Sequence, residues 1–327
     1  MTTTMVIFIA LALLFDFLNG LNDSANIVAT IIASRAMNPR PALYVIAAAE
    51  FIGPFLFGVA VAQTIGRGIV EPELVTLPIV FSALISAIVW SLFAMMFGIP
   101  SSSSHGLIGG ILGAVIFGLG PQHVLVNGLV KILIVLFVSP VLGLGVGFMT
   151  TKLVYFLARN ASMKINWFFK KIQILTGVSL ALSYGANDAQ KTMGIITLGL
   201  VSSGFLKDFI VPIWVIAASA GAIALGTVLG GWRVIRTLGR KFYKIRPVNG
   251  FCTQLSSAAV ILGAALLGGP VSTTHVVSST ILGVGSAERV NKVRWGVAGS
   301  IAVAWLLTIP ATALVSGLVY SLITRLF

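Results

Sequence analysis

Long apolar runs recur along this chain and restrict it to one class of fold. A helix needs ~20 such residues to span the hydrocarbon of a bilayer. The runs that approach or exceed this length are residues 42–66, 76–99, 124–151, 210–231 and 296–323. Only 9% of the residues are charged, against about 25% in soluble domains. We therefore predict an all-α polytopic membrane protein, since the runs are too long for the strands of a membrane barrel.

The order of the apolar segments predicts a topology. Ten segments can be distinguished, at residues 5–34, 42–66, 76–99, 101–119, 124–151, 172–202, 210–231, 251–268, 271–286 and 296–323. If each crosses once from an outer N-terminus, the cytoplasmic loops hold most of the 21 Lys and Arg residues. The outer loops hold only Arg67, Lys207 and Arg325. Because basic residues concentrate in cytoplasmic loops, we predict a multi-pass protein of the prokaryotic plasma or inner membrane, with both termini outside.

The net charge of +13 is explained by the same loops. The basic segments 152–171 and 232–246, together with Arg35 and Arg294, lie on the predicted cytoplasmic side. We expect these segments to meet the anionic headgroups of the lipid bilayer. A nucleic-acid partner is therefore not predicted. Cys252 is the single cysteine, so the chain cannot form an internal disulfide.

Two short motifs occur twice in the same order. Gly-Leu-Asn-Asp at 20–23 matches Gly-Ala-Asn-Asp at 185–188, and Pro-Ser-Ser-Ser-Ser-His at 100–105 matches Pro-Val-Ser-Thr-Thr-His at 270–275. Such self-similarity indicates an internal repeat. Five crossings per half is an odd number, so the second half enters from the opposite side. We predict two inverted-topology repeats, the usual plan of secondary transporters.

The repeat also predicts the domain organisation. The first repeat covers residues 1–158, a short cytoplasmic linker covers 159–171, and the second repeat covers 172–327. The fourth and ninth segments are short, and their N-terminal ends are rich in Ser and Thr. We expect broken or re-entrant helices near the midplane, which surrounding protein must cover.

Carboxylates inside apolar segments are costly and mark candidate sites. Asp23 and Asp188 occupy equivalent positions of the two repeats, whereas Asp16 and Glu50 stand alone, with no acidic counterpart to Glu50 near Ser219. One interpretation of the matched pair is a helix cap. The other is a set of oxygen ligands for an alkali cation or a proton. The candidate cation-binding residues are Asn22, Asp23, Asn26, Asn187 and Asp188. We expect Gly20 and Gly185 to permit local unwinding that frees backbone carbonyls.

The hydroxyl-rich motifs suggest a binding site for an anion. Hydroxyls and unpaired N–H groups at a helix N-terminus bind oxyanions, aided by the positive end of the helix dipole. Pro100 and Pro270 fit the start of a helix. Ordinary N-capping is the alternative, and it would explain one such motif more readily than two. The candidate residues are Ser102, Ser103, Ser104, Ser272, Thr273 and Thr274.

Four further side chains have supporting roles in this prediction. His105 and His275 are expected to act as hydrogen-bonding struts or as scaffolding, since no metal-site spacing surrounds them. Lys191 follows the second Asn-Asp pair, and it could pair with a carboxylate or help to hold the anion. Glu50 has no acidic counterpart, so its role need not be symmetric between the halves.

At these motifs the sequence resembles the inorganic phosphate transporter family, the sodium- or proton-coupled phosphate permeases. The resemblance covers both halves and departs at Lys191, where the first copy has Asn26. It implies cation symport of inorganic phosphate, with no cofactor and no catalytic residue, in a homodimer. We predict Na⁺ rather than H⁺ as the driving ion, because the oxygen-rich set can replace a cation's water shell. The Na⁺ ligands would be Asn22, Asp23, Asn187 and Asp188.

Other functions remain open from the sequence. A proton-coupled phosphate permease or a sulfate permease would need similar residues, although phosphate can donate a hydrogen bond and sulfate near neutral pH cannot. Two intramembrane aspartates also occur in aspartyl proteases, where a carboxylate pair shares a proton. That enzyme would leave the hydroxyl-rich motifs unexplained, so no enzymatic activity is predicted. An anion channel is a further alternative, because inverted repeats also occur in channels.

Overall fold

The structure, a computed structural model, describes residues 2–34, 36–98, 101–162, 164–230, 246–293 and 295–326. These ranges are helical apart from short connections and contain no strand. Arg35, Pro100, Arg294 and most of the basic segment 232–246 lie outside them.

Twelve α-helices follow one another along these ranges. They are α1 (Thr3–Ala33), α2 (Pro39–Phe57), α3 (Ala60–Gly68), α4 (Leu77–Phe97), α5 (Ser103–Gly118), α6 (Val126–Leu157), α7 (Ile165–Tyr184), α8 (Gln190–Ser202), α9 (Ile213–Leu229), α10 (Pro247–Leu266), α11 (Thr273–Glu288) and α12 (Trp295–Leu326). A π-helical turn, Gly185–Ala189, joins α7 to α8.

Six of these helices are long and apolar enough to cross a membrane, namely α1, α2, α4, α6, α10 and α12. The helices α5 and α9 are apolar but shorter. The predicted all-α polytopic fold is confirmed, and the fourth and ninth segments correspond to α5 and α11, each only 16 residues long.

Two predicted segments are not continuous α-helices. The segment at 42–66 is divided after Phe57, where Gly58 adopts a φ of 78° and α3 restarts at Ala60. A positive φ suits glycine because it has no Cβ. The segment at 172–202 begins earlier, at Ile165, and is interrupted by the π-helical turn. The predicted linker 159–171 is therefore partly helical.

The two halves pack against each other reciprocally. The helix α5 lies against α12, and its counterpart α11 lies against α6. In the same way α4 contacts α12 while α10 contacts α6, and α1 contacts α9 while α2 contacts α7. Each half therefore completes its packing with helices of the other half, as expected for two related halves around a pseudo-two-fold axis.

Glycines allow the closest of these contacts. An ideal Cβ on Gly283 would lie 2.1 Å from the carbonyl oxygen of Leu144, and one on Gly113 would lie 2.0 Å from that of Ala313. Small residues at helix interfaces let backbones approach closely in membrane proteins.

Gly20 has the same role, and the unwinding predicted there is wrong. The helix α1 continues without interruption from Thr3 to Ala33. An ideal Cβ on Gly20 would lie 2.0 Å from the carbonyl oxygen of Ile223 in α9. The glycine therefore serves close helix packing, and the carbonyls of α1 stay in its helix. Gly185 makes the equivalent contact with the Glu50 carbonyl, also at 2.0 Å, but here the α-helix does give way to the π-helical turn.

Replacing Gly283 by Ala should destabilise the fold. The added methyl group collides with backbone, and overpacking of this kind costs about 1–3 kcal/mol. The melting temperature of the purified protein in detergent measures the effect. Gly145→Ala is the matched control, because an ideal Cβ at Gly145 in α6 meets nothing within 4 Å, and alanine favours a helix over glycine. Equal melting temperatures for the two variants would contradict the close-packing role.

Candidate functional site

The N-terminal ends of α5 and α11 meet inside the protein. The Ser104 hydroxyl donates a hydrogen bond to the carbonyl oxygen of Val271 at 2.7 Å. Ser102 and Ser272 are the N-caps and accept from the backbone N–H groups of His105 and His275 at 3.1 and 3.4 Å. The positive ends of two helix dipoles are thus brought together in a buried region. The candidate anion motifs of the two halves therefore lie side by side.

The first candidate carboxylate lies beside the start of α11. The Thr274 hydroxyl donates to Oδ1 of Asp23 at 2.8 Å. The Asn26 amide donates to the same oxygen and to the Thr274 hydroxyl, both at 3.1 Å. Asp23 is only 4% exposed. A residue pair from α1 and a hydroxyl from the other half thus form one buried cluster.

The second carboxylate has a cation beside it. Lys191 forms a salt bridge with Asp188, and both side chains are fully buried. The Lys191 ammonium also donates to the Ser104 hydroxyl at 2.6 Å and to the Val271 carbonyl at 2.9 Å. Of the two roles open for Lys191, pairing with a carboxylate is the one present here.

Asn187 holds the turn that precedes α11. Its amide donates to the carbonyl oxygen of Gly269 at 3.0 Å and accepts from the N–H of Val271 at 3.2 Å. These two bonds fix the chain between α10 and α11 in front of the π-helical turn. The side-chain oxygen of Asn187 thus already accepts a hydrogen bond from the backbone. The first role of Asn187 is therefore to position the Ser/Thr-rich motif of α11.

The other candidate residues differ in how deeply they are buried. Thr273 is buried with the cluster, whereas Asn22 and Ser103 are half-buried. Glu50 is fully buried on α2, and within the described ranges neither of its carboxylate oxygens accepts a hydrogen bond. The nearby Thr227 hydroxyl donates instead to the carbonyl oxygen of Gly20, at 3.2 Å. Glu50 is thus a buried acid of the first half.

The two histidines face each other across the halves. Their ring centroids are 5.1 Å apart, and Nδ1 of His105 lies 2.7 Å from the Ser102 hydroxyl. The His275 ring also packs 4.9 Å from Trp305. Among the residues that the structure describes, no group of three or more His, Cys, Asp or Glu side chains is placed to hold a metal ion. The scaffolding role of the two histidines stays a prediction.

One important residue was not predicted from the sequence. The Gln190 amide donates to the carbonyl oxygens of Gly58 and Ala186 and accepts from the N–H groups of Val61 and Ala62. It thereby satisfies backbone groups that the break between α2 and α3 leaves unpaired. The available signal in the sequence was that Gln190 follows the second Asn-Asp motif closely. The break between α2 and α3, which this side chain satisfies, is far away in sequence and cannot be located from motif spacing.

Gln190→Leu should therefore destabilise the protein more than the same change on the surface. Leucine has a similar volume but leaves buried backbone groups unsatisfied, at about 1–3 kcal/mol for each group. Gln63→Leu, at an exposed position of α3, is the matched control. Melting temperatures in one detergent compare the two variants. A Gln190→Leu protein as stable as Gln63→Leu would show that the break does not depend on this amide.

Comparisons with known proteins identify the family of this chain. The chain matches the model of the Phosphate transporter family twice, over residues 19–168 and 158–316. It is 45% identical over 314 residues to a probable low-affinity inorganic phosphate transporter of Rhizobium meliloti, covering 95% of this chain and 94% of that protein. It is 40% identical over 330 residues to a protein of the same description from Bacillus subtilis, covering 98% of both.

A solved structure described as the sodium-dependent phosphate transporter has the same fold. It is 28% identical in sequence, aligns over 100% of both chains and gives a TM-score of 0.91. The relatives are transporters, which supports the prediction of a non-enzymatic function. The resemblance seen in the two repeated motifs is thus confirmed, and this chain belongs to the phosphate transporter family.

Proposed function

We propose that this chain imports inorganic phosphate by cation symport, with alternating access to a site between the two halves. The observation that carries the proposal is the meeting of both Ser/Thr-rich helix ends with both Asn-Asp motifs. Ser104 contacts Val271 and Lys191, while Thr274 contacts Asp23. An anion site and carboxylates that need cations are thus adjacent and buried.

Phosphate fits this site through two kinds of group. The ends of α5 and α11 offer backbone N–H groups, dipoles and the hydroxyls of Ser102, Ser103, Ser272 and Thr273 to its oxygens. The hydroxyls of Ser104 and Thr274 would first have to release Val271 and Asp23. The Asp23 carboxylate can accept a hydrogen bond from a protonated phosphate oxygen. Sulfate near neutral pH has no such proton and would meet a repelling charge. The neighbouring carboxylate therefore favours phosphate over sulfate.

The same carboxylates would couple phosphate to a cation. A bound cation offsets the repulsion between the anion and Asp23, so each ion raises the affinity for the other. Oxygen ligands for Na⁺ are available from Asn22, Asp23, Asn26 and Thr274. Asn187 and Asp188 are the equivalent residues of the second half, where Asp188 is paired with Lys191. The sodium dependence named for the similar solved structure supports Na⁺ as the driving ion.

Proton coupling is the second candidate, and Glu50 favours it. A fully buried carboxyl group that accepts no hydrogen bond of ordinary geometry from the described residues is best accommodated in its neutral form. Such a group can take up a proton on one side of a membrane and release it on the other.

The arrangement in the membrane completes the proposal. Residues 1–158 and 172–327 form the two inverted halves, joined by a short linker on the cytoplasmic side. Both termini lie outside the prokaryotic plasma membrane, following the distribution of basic residues. The homodimer implied by the family resemblance stays a prediction, and light scattering of the detergent-solubilised protein measures it.

Labelled phosphate uptake into proteoliposomes tests this function. An inward Na⁺ gradient should drive accumulation above the equilibrium level, and an equal K⁺ gradient should not. Asp23→Asn should lower the initial rate at least about tenfold, equivalent to a loss of about 1.4 kcal/mol of stabilisation. The matched control is Asp208→Asn, an exposed carboxylate in a connecting segment, which should transport like the wild type.

The other outcomes of the same assay separate the alternatives. Accumulation driven only by a pH gradient, and lost in Glu50→Gln, would replace Na⁺ by H⁺. Equilibration of phosphate without accumulation would indicate a channel. Uptake of labelled sulfate in place of phosphate would overturn the substrate.

A further inference from the structure

The two halves carry different residues at one equivalent position of the buried centre. The residue three positions after the motif aspartate is Asn26 in the first half and Lys191 in the second. Thr274 and Ser104 are equivalent as well, since each directly precedes the motif histidine. Both clusters therefore share one plan, in which a carboxylate and its neighbour from one half meet a hydroxyl from the other half.

The hydrogen bonds show how the two clusters differ. Around Asp23 the donors are the neutral amide of Asn26 and the neutral hydroxyl of Thr274. Among the described residues no salt bridge reaches this carboxylate. Around Asp188 the donor is the Lys191 ammonium. One cluster thus lacks a contacting cation, while the other contains one supplied by the chain.

We propose that the Lys191 ammonium occupies the second of two equivalent cation positions, so that only the Asp23 cluster takes up a transported cation. The inference rests on the proposed cation symport of phosphate. It makes Lys191 the residue that sets how many cations accompany each phosphate.

The donors of Lys191 favour this role over direct binding of phosphate. An ammonium group has three N–H donors. Here they are directed to the Asp188 carboxylate, the Ser104 hydroxyl and the Val271 carbonyl. All three acceptors are protein oxygens, as they would be for a dehydrated cation. No N–H of Lys191 is left to contact phosphate in this conformation.

A tethered charge and a transported charge have different consequences for the transport cycle. The Lys191 ammonium returns with the empty carrier, so it adds nothing to the net charge moved. A bound Na⁺ or H⁺ is released on the far side and does add its charge. This chain should therefore move one positive charge fewer per phosphate than a form with both positions open.

Lys191→Asn tests the inference because it copies the first-half residue into the second half. In proteoliposomes with a set membrane potential, the potential at which net phosphate flux reverses gives the charge moved per phosphate. The variant should move one more positive charge per phosphate than the wild type. The matched control is Lys131→Asn, an exposed lysine within α6, which should leave the value unchanged. An unchanged value in Lys191→Asn would overturn the inference.

If Lys191→Asn folds but does not transport, a binding measurement tests the inference instead. Without the Lys191 ammonium, Asp188 is free to bind a cation. Replacing choline by Na⁺ should therefore raise the melting temperature of Lys191→Asn by several degrees more than that of the wild type, because a ligand stabilises the folded state that binds it. Equal shifts would count against the inference. Loss of phosphate binding at all Na⁺ concentrations would show that Lys191 is a phosphate ligand instead.

If Lys191→Asn does not fold, the wild-type protein can still test the inference. Its phosphate affinity should rise in proportion to the first power of the concentration of the coupling cation, and a second-power dependence would overturn the inference. These results are separate from the proposed function, which fails if the wild type accumulates no phosphate under any cation gradient. Accumulation with a second-power dependence would keep phosphate symport and reject only the tethered cation.

Discussion

Buried negative charge is the constraint on which the rest of this structure depends. Asp23 and Asp188 lie in the interior of a chain in which few residues are charged. Burying an unpaired carboxylate there costs free energy. The groups that satisfy them come from both halves: Thr274 reaches Asp23, and Ser104 reaches Lys191 beside Asp188. Asn26 and Lys191 contribute from the same half as their carboxylates, and a hydroxyl from the other half completes each cluster. The assembly of the halves and the candidate site are therefore made by the same contacts.

Close helix packing makes those contacts possible. Ser104 and Thr274 have short side chains, so the ends of α5 and α11 must lie within a few ångströms of the motif helices. Gly20 and Gly185 bring α1 and the π-helical turn against the other half, with backbone where a Cβ would otherwise stand. Gln190 performs a related task at the break before α3. The polar centre thus depends on Gly20, Gly185 and the Gln190 amide, although none of them is proposed to bind an ion.

The repeated motifs made much of this arrangement predictable from the sequence. The apolar runs predicted the fold class, and the repeated motifs placed Asp23 and Thr274 in candidate sites, which the structure joins by a hydrogen bond. The continuity of α1 at Gly20 could not be predicted, because a glycine permits unwinding but equally permits close packing. The partner of Lys191 was also undetermined, since sequence spacing placed it equally near a carboxylate and an anion. Gln190 was missed because its partners at Gly58 and Val61 are far away in sequence.

The difference between Asn26 and Lys191 also makes the two sides of the centre mechanically unequal. Any motion that parts the ends of α5 and α11 must break the bond from Ser104 to Val271 and strain those of Lys191. A motion that frees α11 from α1 breaks the bonds of Thr274 with Asp23 and Asn26. Hydrogen bonds from an ammonium and hydrogen bonds to a carboxylate are both charge-assisted, but among the described residues the chain places a positive charge only on the Lys191 side. The Asp23 side is therefore the one where a bound cation, by adding charge, changes the balance of the contacts most.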